Sequence, residues 1–230
     1  MISCLFYVII NKPSKGEINM EKKKVLLDID EVVVFSGFLT ALNKFLGTNY
    51  QIDDFTNYYL EEEVLPPEFS EDFNEFVRSQ NLYEVPEFLP GALNSLARLS
   101  EYYDFYVCSS CVNPVDIANS GRIFKDKYEL LIRYLPFLDP RKFIFTSTKN
   151  MFKADIQIDD RVQNMDPEIP TKILFPSYHN RDITDEELNE KGIDRAGYEW
   201  RTGWEELERM LMAQLVIEEP GLSYTKKESV

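Results

Sequence analysis

Basic residues are scarce in this 230-residue chain: 25 Lys and Arg stand against 40 Asp and Glu, for a net charge of −15. A surface with that balance repels a polyanion, which argues against general nucleic-acid binding. One small phosphorylated ligand is still admissible, because a metal ion and two or three cations reverse the field locally. Cysteine is scarce too, and its count of 3 is odd. That is a poor basis for a disulfide framework and the pattern of a reducing, cytoplasmic setting. Only 9 glycines and a charged fraction of 28% argue against a fibrous or disordered chain, while 44% hydrophobic and 13% aromatic residues supply a core. No internal repeat or low-complexity tract is present. The apolar run at residues 1–10 falls short of the about 20 residues needed to span a bilayer. It has no Lys or Arg before it and no small-residue cleavage site after it, so neither a membrane partner nor a signal peptide is expected. Lys15-Gly16-Glu17 is encodable by a purine-rich, ribosome-binding-like string just before Met20. Synthesis is therefore expected to start at Met20, with residues 1–19 an untranslated extension; an intact mass beginning at Met1 would exclude this.

The length fits one domain with a sizeable insertion. Lys24-Val25-Leu26-Leu27 is a short apolar run entering Asp28-Ile29-Asp30. Phe105–Cys108, Lys142–Thr146, Ala154–Ile158 and Lys172–Phe175 are further runs of the same kind. They read as strands buried on both faces. Between or after them, Leu93, Leu96 and Leu99, then Phe124, Tyr128, Leu131 and Leu135, then Trp204, Leu207, Leu211 and Leu215 recur at helical spacing. Alternating strands and helices predict a three-layer, Rossmann-like α/β core with a parallel sheet, built from residues 20–34 and 89–218. Residues 35–88 interrupt the alternation with Phe, Tyr, Glu and Pro66-Pro67 at helical spacing, and are expected to form an inserted helical cap. Residues 219–230 read as a flexible tail.

In such a sheet ligands bind at the carboxyl edge, where the strand order reverses. The strand runs deliver to that edge Asp28 and Asp30, Ser109 and Ser110, Lys149, and Asp159 with Asp160. Four carboxylates, Asp28, Asp30, Asp159 and Asp160, suit Mg²⁺, a hard cation that takes carboxylate and phosphate oxygens. With the chain extended, Asp28 and Asp30 lean the same way. Asp28 is placed to attack phosphorus, forming an aspartyl-phosphate, and Asp30 to protonate the leaving oxygen and later accept a proton from water. Lys149 and the Ser109 hydroxyl would neutralise the phosphoryl oxygens.

These residues resemble the motifs of the haloacid dehalogenase superfamily of phosphatases, over nearly the whole chain after Met20. Leu27-Asp28-Ile29-Asp30 matches the first motif, Ser109 the second, Lys149 the lysine motif and Ile158-Asp159-Asp160-Arg161 the acidic fourth. Within that superfamily the chain is similar to the 5′(3′)-deoxyribonucleotidases in Phe88-Leu89-Pro90-Gly91-Ala92, Val107-Cys108-Ser109-Ser110, Thr148-Lys149 and Tyr178-His179-Asn180. The resemblance implies a small nucleotide as substrate, with Ser110 beside the phosphate. It also implies cap aromatics that stack on the base, for which Tyr58, Tyr59 and Phe38 are candidates, with Phe76. Glu31 departs from the pattern, standing where glycine is common after the second aspartate. Lys149 is preferred to Lys153 because its distance to Asp159-Asp160 fits the family.

Plainer readings stand beside these. His179, the only histidine, is expected at the pocket rim in a hydrogen-bonding role, and Phe69, Phe73 and Phe76 in the cap's own core. Cys108-Ser-Ser-Cys111 has redox-pair spacing, but its serines are better explained as phosphate contacts. Alternatives retained are a polynucleotide 3′-phosphatase, a small-metabolite phosphatase and a non-catalytic nucleotide-binding module. A homodimer is left open.

Overall fold

The computed structural model describes residues 7–10, 21–112, 117–218 and 224–227. Its strands and α-helices in chain order are β1 (Tyr7–Ile10), β2 (Lys24–Leu27), β3 (Val34–Phe35), α1 (Phe38–Leu46), α2 (Glu61–Val64), α3 (Ser70–Ser79), β4 (Glu87–Phe88), α4 (Ala92–Leu99), β5 (Asp104–Ser109), α5 (Gly121–Tyr134), β6 (Phe143–Phe145), β7 (Ile156–Asp159), β8 (Thr171–Leu174), α6 (Asp185–Glu190), β9 (Ile193–Arg195), α7 (Gly203–Glu218) and β10 (Tyr224–Lys227). Six strands form one sheet in the order β6-β5-β2-β7-β8-β9, every neighbouring pair parallel.

The five apolar runs are strands of this sheet, for a simple reason. Val25, Leu27, Val107 and Ile158 face one core cluster, while Leu26 and Cys108 pack with Ile169 on the opposite face. A strand covered on both sides has no solvent face, so apolar residues dominate it, and the buried Gln157 of β7 is satisfied by donating to the Asn164 carbonyl at 2.8 Å. Helices α4 and α7 join the first cluster through Leu96, Leu99, Trp204, Leu207 and Leu211. The sheet grows outward from β2 through β5 and β6 on one side and through β7, β8 and β9 on the other. Its order therefore reverses between β2 and β7, and a crevice opens at their carboxyl ends.

Some elements carry no apolar run to announce them. Strand β9, at the sheet edge, is three residues long with one buried residue, Ile193. Helix α6 is short, but its N-terminus is marked by a reciprocal cap between Thr184 and Glu187, a spacing legible in the sequence. Strands β1 and β10, the latter within the segment read as a tail, pair antiparallel with each other outside the main sheet.

The inserted segment rises from a two-stranded antiparallel stem, β3 with β4. Its helices α1 and α3 pack through Phe73, whose ring centroid lies 5.5 Å from Phe38 and 5.3 Å from Phe45. At the stem the Gly37 N–H donates to the Leu82 carbonyl at 2.7 Å. A Cβ on Gly37 would meet that oxygen at 2.9 Å, so the two cap crossings can approach this closely only with glycine there. The cap is also tied to the core. Arg181 Nη2 donates to the Phe55 carbonyl at 2.7 Å, and the Tyr178 hydroxyl to the Tyr58 carbonyl at 3.0 Å.

Trp204 joins the last helix to the loop that follows β2. Its ring is fully buried against Phe175, and its Nε1–H donates to the Val32 carbonyl at 2.6 Å. Trp204→Phe leaves that carbonyl buried without its donor, which is expected to cost about 1–3 kcal/mol. Urea unfolding checks this, and a loss below about 0.5 kcal/mol would mean water or a neighbour replaces the indole.

Candidate active site

The crevice between β2 and β7 gathers acidic side chains. The Asp28 N–H donates to the Ile158 carbonyl at 3.0 Å, which registers the end of β2 against β7. As a result one oxygen each of Asp28, Asp159 and Asp160 lies within 4.8 Å of the others, and all three residues are buried. Lys149, in the short 3₁₀ turn after β6, places Nζ 2.6 Å from Asp28 Oδ2 and 2.7 Å from Asp159 Oδ2. Asp159 Oδ1 accepts from the Arg161 N–H at 3.0 Å and from Asn164 Nδ2 at 2.8 Å. Lys153, the rejected alternative, is exposed and pairs with Glu168.

Three buried carboxylates against one lysine leave excess negative charge. Burial raises the pKa values of both Asp159 and Asp160, and neighbouring carboxylates, Asp28 among them, push the same way. Burial opposes the Lys149 ammonium, but Asp28 and Asp159 outweigh it and keep the amine charged. Carboxylates that resist ionisation until a cation arrives are a fitting donor set for a hard divalent ion.

Asp160 is held from the other side. Its Oδ2 lies 2.6 Å from His179 Nε2, and its carbonyl accepts from Asn180 Nδ2 at 2.8 Å. The same His179 nitrogen is 3.0 Å from Glu31 Oε2. Burial disfavours the imidazolium, yet the hydrogen bonds to Asp160 and Glu31 hold its pKa up at about 9. Glu31 is the one non-glycine residue with positive φ, at 62°, among the described residues. That left-handed conformation explains why glycine suits this position. The chain places a carboxylate there instead, and its Oε1 accepts from the Tyr178 hydroxyl at 3.3 Å.

Asp30 does not join the three-carboxylate cluster. The Tyr83 hydroxyl donates to its Oδ1 at 2.7 Å, and Lys127 Nζ pairs with its Oδ2. Lys127 also donates to Ser109 Oγ at 2.9 Å and to the Ser110 carbonyl. The Lys127 side chain is fully buried; burial works against its charge, but its neighbours, Asp30 first and Asp28 among them, together outweigh it. Sequence reasoning missed both Lys127 and Tyr83. Lys127 had a signal: it lies three residues after Phe124 and four before Leu131, an ammonium on the apolar stripe of a helix. Tyr83 had none, being one aromatic among many in the cap.

The remaining candidates divide. Ser109 is buried at the end of β5, while Ser110 Oγ lies 3.0 Å from Ser147 Oγ. Tyr58 reaches the site: Arg161 stacks on its ring at 4.0 Å and His179 meets it edge-on at 5.2 Å. Tyr59 packs against Tyr58 at 4.9 Å. Phe38, by contrast, is half-buried and packs edge-on against Phe73 within the cap. Burial raises the Cys108 thiol to about 12 and the Cys111 thiol to about 11, so neither is the thiolate that redox exchange requires. No helix among the described residues is long and apolar enough to cross a membrane.

The parallel α/β sheet, the buried aspartates at its switch point and the inserted helical segment belong to a chain whose family is one of nucleotidases, a class of phosphatase. Residues 22–197 match the family described as "5' nucleotidase, deoxy (Pyrimidine), cytosolic type C protein", and the chain belongs to it. It is 27% identical over 202 residues to the 5'(3')-deoxyribonucleotidase of Bacillus subtilis strain 168, covering 83% of this chain and 99% of that protein. A protein of Staphylococcus aureus strain Mu50 is 29% identical over 163 residues, 70% of this chain and 86% of that one. Among solved structures, a haloacid dehalogenase-like family protein from Streptococcus pneumoniae has a TM-score of 0.44 at 16% identity, covering 84% of this chain and 98% of that one.

The buried charges predict how stability depends on pH. Acids with raised pKa values, and a raised histidine, hold protons in the folded state that the unfolded chain releases, so stability falls as pH rises. The His179 contribution is complete below its ordinary 6.5 and lost above about 9. In EDTA the melting temperature is expected to fall from pH 6 to pH 9, with Mg²⁺ restoring it most at the alkaline end. A metal-free melting temperature that climbs over this range would contradict the charge balance described.

Proposed function

We propose that the protein hydrolyses phosphate from a small deoxyribonucleotide, with Mg²⁺ as cofactor and Asp28 as nucleophile. The observation that carries this reading is the convergence of Asp28, Asp159, Asp160 and Lys149 in the crevice between β2 and β7. The names of the similar proteins support the nucleotide as substrate. The odd count of 3 cysteines favours a cytoplasmic setting.

In this reading Asp28, Asp159 and Asp160 hold the ion, which supplies charge neutralisation for the phosphoryl oxygens when bound. Asp28 attacks phosphorus; the new O–P bond forms as the bond to the nucleoside oxygen breaks, leaving an aspartyl-phosphate. Asp30 first takes up a proton from solvent and gives it to the departing oxygen. It then takes one from the water whose oxygen displaces Asp28 and releases phosphate. Expected from the sequence as a fourth ligand, the Asp30 carboxylate is engaged by Lys127 and Tyr83 instead, outside the three-carboxylate cluster. Lys149, Lys127 and the Ser109 hydroxyl surround the phosphoryl group with donors, and Ser110 borders it. Tyr58, backed by Arg161 and flanked by Tyr59, offers an aromatic face for the base. The net charge of −15 disfavours a polynucleotide substrate.

Phosphate release is expected from deoxynucleoside monophosphates in Mg²⁺ and not in EDTA, with little from 3′-phosphorylated oligonucleotides. Asp28→Asn should lower kcat by about 10³-fold or more, with nucleotide binding kept. A wild-type protein that turns over no phosphomonoester, or Asp28→Asn at full activity, would overturn the proposal.

A further inference from the structure

We infer that Tyr83 is a positioning residue for Asp30, so that the cap, not the core alone, aligns the proton-transfer carboxylate. The inference rests on the assignment of Asp30 as general acid and base.

The geometry is a closed triangle. Lys127 pairs with one Asp30 oxygen, and the Tyr83 hydroxyl donates to the other at 2.7 Å. The Lys127 ammonium lies 5.6 Å from the centroid of the Tyr83 ring. An ammonium is a rotatable point donor, so Lys127 alone fixes where one oxygen sits but not the plane of the carboxylate. The second contact fixes that plane. Asp30 needs such help, because its side chain is 30% exposed while that of Lys127 is 1% exposed. Tyr83 is itself immobilised: its ring is buried, its N–H donates to Asn81 Oδ1 at 2.9 Å, and the preceding carbonyl accepts from Gly37 at 2.7 Å. Burial keeps the phenol protonated, which leaves it a donor.

The contact spans 53 residues of sequence and joins the strand that carries Asp28 to the segment returning from the cap. Asp30 is thus in register for proton transfer only when that return segment is seated. A phosphatase with a cap gains from this, because protonation of the leaving oxygen is then coupled to enclosure of the substrate.

The test uses leaving groups that differ in their need for a proton. A nitrophenolate departs without one, whereas phenolate and a nucleoside alkoxide depend progressively more on general acid assistance. The ratio kcat/KM reports only the transfer to Asp28, the half-reaction in which Asp30 acts as acid. Tyr83→Phe keeps the buried ring, and is expected to lower kcat/KM about tenfold for phenyl phosphate and a deoxynucleoside monophosphate. Nitrophenyl phosphate should stay within about twofold, a modest share of the 10²–10⁴-fold that general acid–base catalysis supplies. Tyr83→Leu should show the same selectivity, and thermal unfolding of both variants should show the fold retained. Equal losses on all substrates, or no loss on any, would overturn the inference. Asp30→Asn measured alongside separates the two claims. If it slows the poor leaving groups selectively and Tyr83→Phe does not, Tyr83 alone is misassigned; if it is unselective, the role given to Asp30 fails.

Discussion

Three carboxylates buried around a single lysine constrain most of what surrounds them. Asp28, Asp159 and Asp160 repel one another in a largely buried crevice, and Lys149 cancels only part of that charge. Such an arrangement persists only if the backbone forces it and other groups share the cost. The parallel pairing of β2 with β7 does the forcing. The sharing falls to Lys149, to Asn164 and the Arg161 N–H on Asp159, and to His179 and Asn180 on Asp160. Asp28, Asp159 and Asp160 could hold a divalent ion in that arrangement, which is the basis of the function proposed.

A second polar shell links this centre to the cap. Glu31, in a left-handed conformation that suits glycine, projects its carboxylate to His179 and Tyr178, and Tyr178 in turn holds the Tyr58 carbonyl. Arg161 lies over the Tyr58 ring and Arg181 grips the carbonyl of Phe55. The residues just beyond β2, Asp160 just beyond β7 and the 53–59 stretch of the cap are therefore joined by hydrogen bonds through Tyr178, His179 and Arg181, which follow β8. The backbone strain at Glu31 is offset by what its side chain ties together.

The resemblance of short phrases and the physics of the strands agree, though they draw on different properties. The phrases depend on chemistry at strand ends; the strands depend on burial along their length. Lys127 and Tyr83 sit outside both sources of information. They reach Asp30 from 97 and 53 residues away, from a helix face and from a cap crossing, and neither lies at a strand end. Phe38 shows the converse: an aromatic near the cap entrance that packs inward on Phe73. Which side an aromatic of a small helical cap faces depends on its neighbours and not on its type.

Strands covered on both faces are dominated by apolar residues, so the five runs ending in polar residues were legible in the sequence together with the edge of the sheet they serve. The same logic made the alternation of strand and helix, the interruption by the cap, and the grouping of Asp28, Lys149, Asp159 and Asp160 legible. The short edge strand β9, the β3–β4 stem and the turning of Asp30 toward Lys127 and Tyr83 were decided by tertiary structure alone. These features arise from pairings between distant segments, and a pairing leaves no periodic mark on either segment.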